Sequence, residues 1–185
     1  MPSALTPLAV AILALLVERP QHPYEVHQTL LQRRTDRIVK VRPGSLYHTV
    51  DRLHRDGLLR AVGTERAGNR PERTTYAITD AGRDALAEQL AAMIAAPVNE
   101  YPRFPLAVAE AHHLPRDAVL GLLRDRRARL SDELEALRTG VERVREKGLP
   151  ARYWIDLTYR IAVHETESAW IATVVDGIES GDIPW

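Results

Sequence analysis

Val41-Arg42-Pro43-Gly44-Ser45-Leu46-Tyr47-His48-Thr49-Val50-Asp51-Arg52-Leu53-His54-Arg55-Asp56-Gly57-Leu58-Leu59 is the stretch whose reading decides the fold. Leu46, Val50 and Leu53 recur at helical spacing and share one face, while Ser45, His48, Thr49, Arg52 and Arg55 fall on the others. Gly57 suits the left-handed position just past the last turn, and Leu58 can fold back on Leu53, so the helix is predicted to stop abruptly. Its free face carries hydroxyl, imidazole and guanidinium groups, the chemistry that pairs with base edges in the major groove of DNA. The expectation is a recognition helix. An ordinary amphipathic helix with a solvated basic face has the same pattern.

Upstream, Thr6 and Pro7 form a helix start, and Leu8 to Glu18 follow as a nearly all-apolar helix that must be buried. Arg19-Pro20-Gln21-His22-Pro23 breaks it and opens a second helix running to about Arg34. Three short helices in this order make a helix-turn-helix. Downstream, residues 58–65 and 73–78 read as strands around the turn-rich, basic segment 66–72, a hairpin placed like the wing of a winged helix. Thr79-Asp80-Ala81-Gly82 then caps a helix reaching about Ala95.

Residues 96–105 hold Pro97, Pro102 and Pro105 and are predicted to be a linker between a domain at 1–95 and a helical domain at 106–185. A long helix from about Pro115 to Lys147 places Leu120, Leu123, Leu130, Leu134, Leu137, Val141 and Val144 at alternating spacings of three and four, with Arg127 as the one interruption. Gly148-Leu149-Pro150 turns the chain. A last helix from about Arg152 to Gly177 repeats the pattern with Trp154, Leu157, Ile161, Ile171, Val175 and Ile178. One antiparallel hairpin of long helices leaves too little cover for both seams and for Ile155, Trp170 and Val174. A second copy of the chain is therefore expected, on an interface of Leu130, Leu134, Leu137, Val141, Ile161, Ile171, Val175 and Ile178. The predicted class is mainly α with a small β-hairpin.

The 185 residues carry no net charge, but residues 1–83 hold 13 Lys/Arg against 8 Asp/Glu, and residues 84–185 hold 12 against 17. A basic front half and an acidic back half fit a module that faces nucleic acid joined to one that avoids phosphate. The absence of cysteine excludes disulfides and thiolate chemistry, and the longest apolar run, Leu8 to Val17, is too short to span a bilayer; a cytoplasmic location is expected. No phosphate loop, nucleophile elbow or two-histidine zinc motif is present, so neither an enzyme nor a cofactor is expected. Adjacent His112 and His113 would point about 100° apart on a helix, which argues against a metal site. Tyr101, Phe104, Trp154 and Trp170 are candidates for an aromatic effector pocket between the domains, and His164 is a candidate ligand-facing group, although core packing and internal hydrogen bonds serve these residues equally.

These motifs together resemble the PadR-like transcriptional regulators. The resemblance is carried by Leu13-Ala14-Leu15-Leu16, His22-Pro23-Tyr24-Glu25-Val26, Pro43-Gly44-Ser45-Leu46-Tyr47, Arg52-Leu53, Asp56-Gly57-Leu58-Leu59 and Arg73-Thr74-Thr75-Tyr76-Ala77-Ile78-Thr79-Asp80-Ala81-Gly82-Arg83, covering residues 8–86. The long helix pair with Trp170 looks like the larger, two-domain branch. The resemblance implies a dimeric repressor of an inverted-repeat operator in double-stranded DNA, released in some members by a small aromatic or cationic compound. It places Pro43, Gly44, Ser45, Tyr47, His48, Thr49 and Arg52 on the recognition helix, Tyr24 near the DNA backbone, and Arg66, Asn69, Arg70 and Arg73 on the wing. Two positions depart from the pattern: Pro23 stands where the family has glycine, and Arg42 where it has a serine or threonine cap. Arg42 gives up a capping hydrogen bond, about 1 kcal/mol, for a possible phosphate contact. A winged helix used only as a protein adaptor is the alternative. It leaves the arginine-bearing hairpin and the charge split unexplained.

Overall fold

The computed structural model describes residues 4–65 and 73–185, with the backbone alone at Thr64, Glu65 and Arg73. The tip with Arg66, Asn69 and Arg70 lies outside the described residues. Two compact units divide the chain between Glu100 and Tyr101.

The first unit is built around helix α1 (Pro7–Glu18), which starts as its sequence predicts, with the Thr6 hydroxyl accepting from the Ala9 N–H. Ala9, Ile12 and Leu13 are fully buried, because an all-apolar helix lowers its free energy only when covered on every side. Helices α2 (Pro23–Gln32) and α3 (Pro43–Arg55), strands β1 (Leu59–Glu65) and β2 (Arg73–Ile78), and helix α4 (Asp80–Ala95) supply the cover. The α1–α2 corner is tied to the hairpin by Gln21, whose backbone exchanges two 3.0 Å hydrogen bonds with Tyr76. The buried Gln21 side chain donates to the Leu15 carbonyl at 3.1 Å.

Helix α3 buries Leu46, Val50 and Leu53 and ends in a Schellman turn. The Leu58 N–H donates to the Leu53 carbonyl (2.9 Å) and the Gly57 N–H to the His54 carbonyl (3.0 Å), with Gly57 at φ +74°. Strands β1 and β2 pair antiparallel from Leu59 opposite Ile78, with a bulge between Ala61 and Gly63. The start of α4 is clamped onto this stop. The Thr79 N–H donates to the Leu58 carbonyl (3.1 Å), the Thr79 hydroxyl to the Gly57 carbonyl (2.8 Å), and the Gly82 N–H to the Thr79 hydroxyl (3.1 Å).

The second unit comprises α5 (Arg103–Ala109), a 3-10 turn at Ala111–His113, α6 (Arg116–Glu146), a 3-10 turn at Ala151–Tyr153 and α7 (Ile155–Ser180). Three details differ from the sequence reading. Residues 103–105 belong to a helix: Pro105 stands in its first turn, where the missing N–H has no helical partner to lose. Helix α7 passes through Gly177 and stops at Gly181 (φ +87°); Gly177 is instead the place where the Ile183 side chain packs against the helix. And one antiparallel hairpin of α6 and α7 does bury both seams, so Leu130, Leu134, Leu137, Val141, Ile171, Val175 and Ile178 are covered within a single chain. The two helices are laced by Arg124–Glu179, Arg126–Glu167 and Arg138–Glu165 ion pairs, which use their charged flanks and free the apolar faces to meet. The apolar side chains left outside, Ile155, Tyr159, Val163 and Trp170, form a second stripe on α7. No helix among the described residues is long and apolar enough to cross a membrane.

A methyl group added at Gly82 would sit 2.2 Å from the Leu58 carbonyl oxygen and 2.8 Å from Ile78 Cγ1. Gly82→Ala is therefore expected to destabilise the protein by about 2 kcal/mol or more, whereas Gly44→Ala, which meets nothing within 4 Å, changes stability by less than about 0.5 kcal/mol. Urea unfolding checks both, and equal effects would contradict the clamp.

Candidate nucleic-acid interface

Helix α3 presents the face that its sequence predicts. Arg42, Pro43, Gly44, Ser45, Tyr47 and His48 are exposed and Thr49 is half-buried, its hydroxyl donating to the Ser45 carbonyl at 2.7 Å. Arg42 is the N-cap residue in extended conformation, and its side chain makes no capping hydrogen bond. With Pro43 lacking an N–H, the Gly44 and Ser45 amides at the start of α3 have no side-chain acceptor, and the positive end of the helix is open to an anion. Arg52 is turned elsewhere: its guanidinium donates to the Thr6 hydroxyl at 3.3 Å, joining the middle of α3 to the start of α1.

Tyr24 lies exposed in the first turn of α2. Pro23 occupies the first helical position, and the corner is held without a glycine by a reciprocal cap. The Tyr24 N–H donates to His22 Nδ1 (3.1 Å) and the His22 N–H to the Glu25 carboxylate (3.0 Å).

The connector from α2 to α3 adds groups that the sequence reading missed. Val39 and Val41 pack inward on the core, so Lys40 and Arg42 project outward, a period of two that was visible in the sequence. Arg34, which takes a left-handed backbone (φ +59°), and Arg37 are exposed on the same segment. Among the described residues, Arg34, Arg37, Lys40 and Arg42 have no ion-pair partner. Arg33 is different. It forks onto Glu18, and its hydrogen bond, with its charge, holds the Glu18 carboxyl below the usual range, so this arginine is committed to joining α2 to α1.

The wing is locked to α3 through His54. Its Nδ1–H donates to the Leu59 carbonyl (3.0 Å), and its ring meets Tyr76 edge-on with centroids 5.4 Å apart. Burial, with the nearby charge of Asp51, pushes the Tyr76 hydroxyl up, so this ring stays neutral. The Arg73 backbone begins β2.

The aromatic candidates of the second unit separate into two groups. Phe104 and Trp170 meet edge-to-face with centroids 6.0 Å apart and line a cavity of about 730 Å³ together with Val108, Tyr159, Val163 and Glu167. The Arg126 guanidinium lies 3.7 Å over the Phe104 ring and is ion-paired to Glu167. Tyr101, Trp154 and His164 do not line it. Trp154 donates to the Leu149 carbonyl (2.9 Å) at the α6–α7 turn, and His164 Nε2 faces the Glu133 carboxylate at 3.3 Å.

Comparison with known proteins gives a family and a fold. The transcriptional regulator PadR-like family model matches residues 12–88, from α1 to α4. The chain is similar in structure to Bacillus subtilis PadR in complex with operator DNA, with a TM-score of 0.76 at 20% identity over 92% of this chain and 98% of that one. It is likewise similar to Bacillus subtilis PadR in complex with p-coumaric acid (TM-score 0.76, 18% identity, 93% and 98% covered). A PadR-like transcriptional regulator from Bacillus cereus aligns with a TM-score of 0.67 at 18% identity over 94% of this chain and 98% of that one. No curated protein matches the sequence.

The uncapped start of α3 has a measurable consequence. In the absence of DNA, Arg42→Ser is expected to raise stability by about 1 kcal/mol by supplying the missing cap; urea unfolding with no gain would mean that the new hydroxyl does not reach the Gly44 or Ser45 amide.

Proposed function

We propose that the chain, whose residues 12–88 match the PadR-like family of transcriptional regulators, is a sequence-specific repressor that binds an inverted-repeat operator as a homodimer. The observation that carries this reading is the surface around α3. An exposed face of Ser45, Tyr47 and His48, an uncapped helix start and the cations Arg34, Arg37, Lys40 and Arg42, which have no ion-pair partner among the described residues, adjoin one another. Phosphates reward such a set whatever the sequence, and base edges reward only the α3 side chains, so affinity and specificity reside in adjacent groups. Arg52 acts here by holding α3 on α1, and the arginines of 66–73 are proposed to reach the adjoining backbone.

Homodimer formation is supported by what the α6–α7 hairpin leaves uncovered. The residues first expected at the interface are consumed within the chain, apart from the half-buried Ile161, and the stripe of Ile155, Tyr159, Val163 and Trp170 is proposed to take their place, the last three being shared with the cavity beside Trp170. Two recognition helices in such a dimer must stand about 34 Å apart to enter successive major grooves.

We propose further that the cavity beside Trp170 admits an effector. Its walls are apolar and aromatic, and its one carboxylate, Glu167, is ion-paired to the nearby guanidinium of Arg126. A neutral aromatic molecule suits this lining, whose charged groups are already paired to each other.

Binding to DNA from the protein's own upstream region is expected to be tight, to exceed binding to an unrelated duplex, and to weaken steeply with salt. Replacing Arg37 and Lys40 together with alanine should lower the salt slope by about 2 without changing the preferred sequence. Absent or equal binding to both duplexes would turn the reading towards a protein adaptor. For the cavity, a neutral planar aromatic molecule should quench tryptophan emission, and Trp170→Phe should remove the response; an equal response from the Trp170→Phe variant would contradict the assignment.

A further inference from the structure

We propose that Glu110, His112 and His113 form a binding site for a divalent first-row transition metal ion, with zinc as its probe. The inference is independent of the DNA reading. On a continuous α-helix the two adjacent rings would diverge, but the chain does not continue as an α-helix here. Helix α5 ends at Ala109 with Glu110 as its cap, Ala111–His113 make a single 3-10 turn, and Leu114 is extended ahead of Pro115. That turn brings the two imidazole centroids to 4.1 Å, with the planes inclined by 40°. The Glu110 carboxylate comes to 3.5 Å from His113 Nε2, and one donor atom from each of the three residues lies within 4.8 Å of the others.

A second observation concerns the ring of His112. Its Nδ1 is 3.2 Å from the Ala109 carbonyl oxygen. A carbonyl only accepts, so Nδ1 carries the proton and Nε2 of the neutral ring keeps its lone pair. A backbone hydrogen bond from the far nitrogen is how metal-ligating histidines are oriented and their tautomer set.

A tetrahedral shell with metal–nitrogen bonds of about 2.0–2.1 Å separates its donors by about 3.4 Å. The separations here, all within 4.8 Å, must therefore close by at most about 1.4 Å, and all three side chains are exposed. Two imidazoles and one carboxylate suit zinc and its neighbours, whereas magnesium and calcium prefer all-oxygen shells. Three protein ligands leave one position to water. The site sits at the C-terminal end of α5, the helix that contributes Phe104, Pro105, Val108 and Ala109 to the apolar cavity. A bound ion would fix the corner between that wall and α6.

The test is zinc titration by calorimetry on the full chain, freed of any affinity tag and of chelators, with magnesium as the control. One zinc ion per chain is expected, with a dissociation constant below about 0.1 mM and no response to magnesium. His112→Ala and His113→Ala should each weaken binding at least about tenfold, and unchanged far-ultraviolet circular dichroism should show that these exposed substitutions leave the helices intact. Absence of binding at that concentration would overturn the proposal. So would equal binding by the His112→Ala/His113→Ala double variant, which would assign the ion to other histidines.

Discussion

The backbone of Leu58 is the point on which the first unit depends. Its N–H closes α3 on the Leu53 carbonyl, its carbonyl accepts the Thr79 N–H, and the bare Cα of Gly82 lies against that same carbonyl. One residue thus joins the end of α3, the start of the hairpin and the start of α4. Backbone hydrogen bonds and hard-sphere contact fix distances far more sharply than side-chain packing does, because neither partner has rotamers to exchange. Gly57 makes the turn possible with its positive φ, and Thr79 secures it with a hydroxyl that both donates and accepts.

At its other end α3 is left open. The N-cap is an arginine, the first helical residue is a proline, and the connector before it turns lysine and arginine outward by alternation with Val39 and Val41. Internal demands on cations in this region are met by Arg33 and Arg52, which bind Glu18 and Thr6 and hold α2 and α3 on α1. The remainder have no internal task among the described residues. A chain with no net charge can therefore still offer phosphate a concentrated positive surface, since the balancing acidic residues lie mostly beyond residue 83.

The winged-helix half was legible because each of its elements announces itself locally: an all-apolar helix, a proline at the first turn, Gly57 at a stop, and period-two strands around a turn. The reasons for Gly82 and His54 were not legible, because both act on residues distant in sequence. In the second half, periodicity placed α6 and α7 but not their partners. A seam of Leu130, Leu134, Leu137 and Val141 looks the same whether it meets a helix of the same chain or of another. Pro102 and Pro105 read as a linker, yet proline is tolerated in a first turn, and the helix α5 that follows builds one wall of the cavity. His112 and His113 were judged on α-helical geometry, and a single 3-10 turn changed the outcome.

The central claim is that the open end and exposed face of α3 meet DNA. Hydrogen–deuterium exchange with and without a duplex from the protein's own upstream region tests it most directly. Protection over residues 34–49, together with the 66–73 segment, and unchanged exchange across α6 is the predicted result. Unaltered exchange over α3 when the duplex is bound, with protection appearing on α6 or α7 instead, would contradict the account.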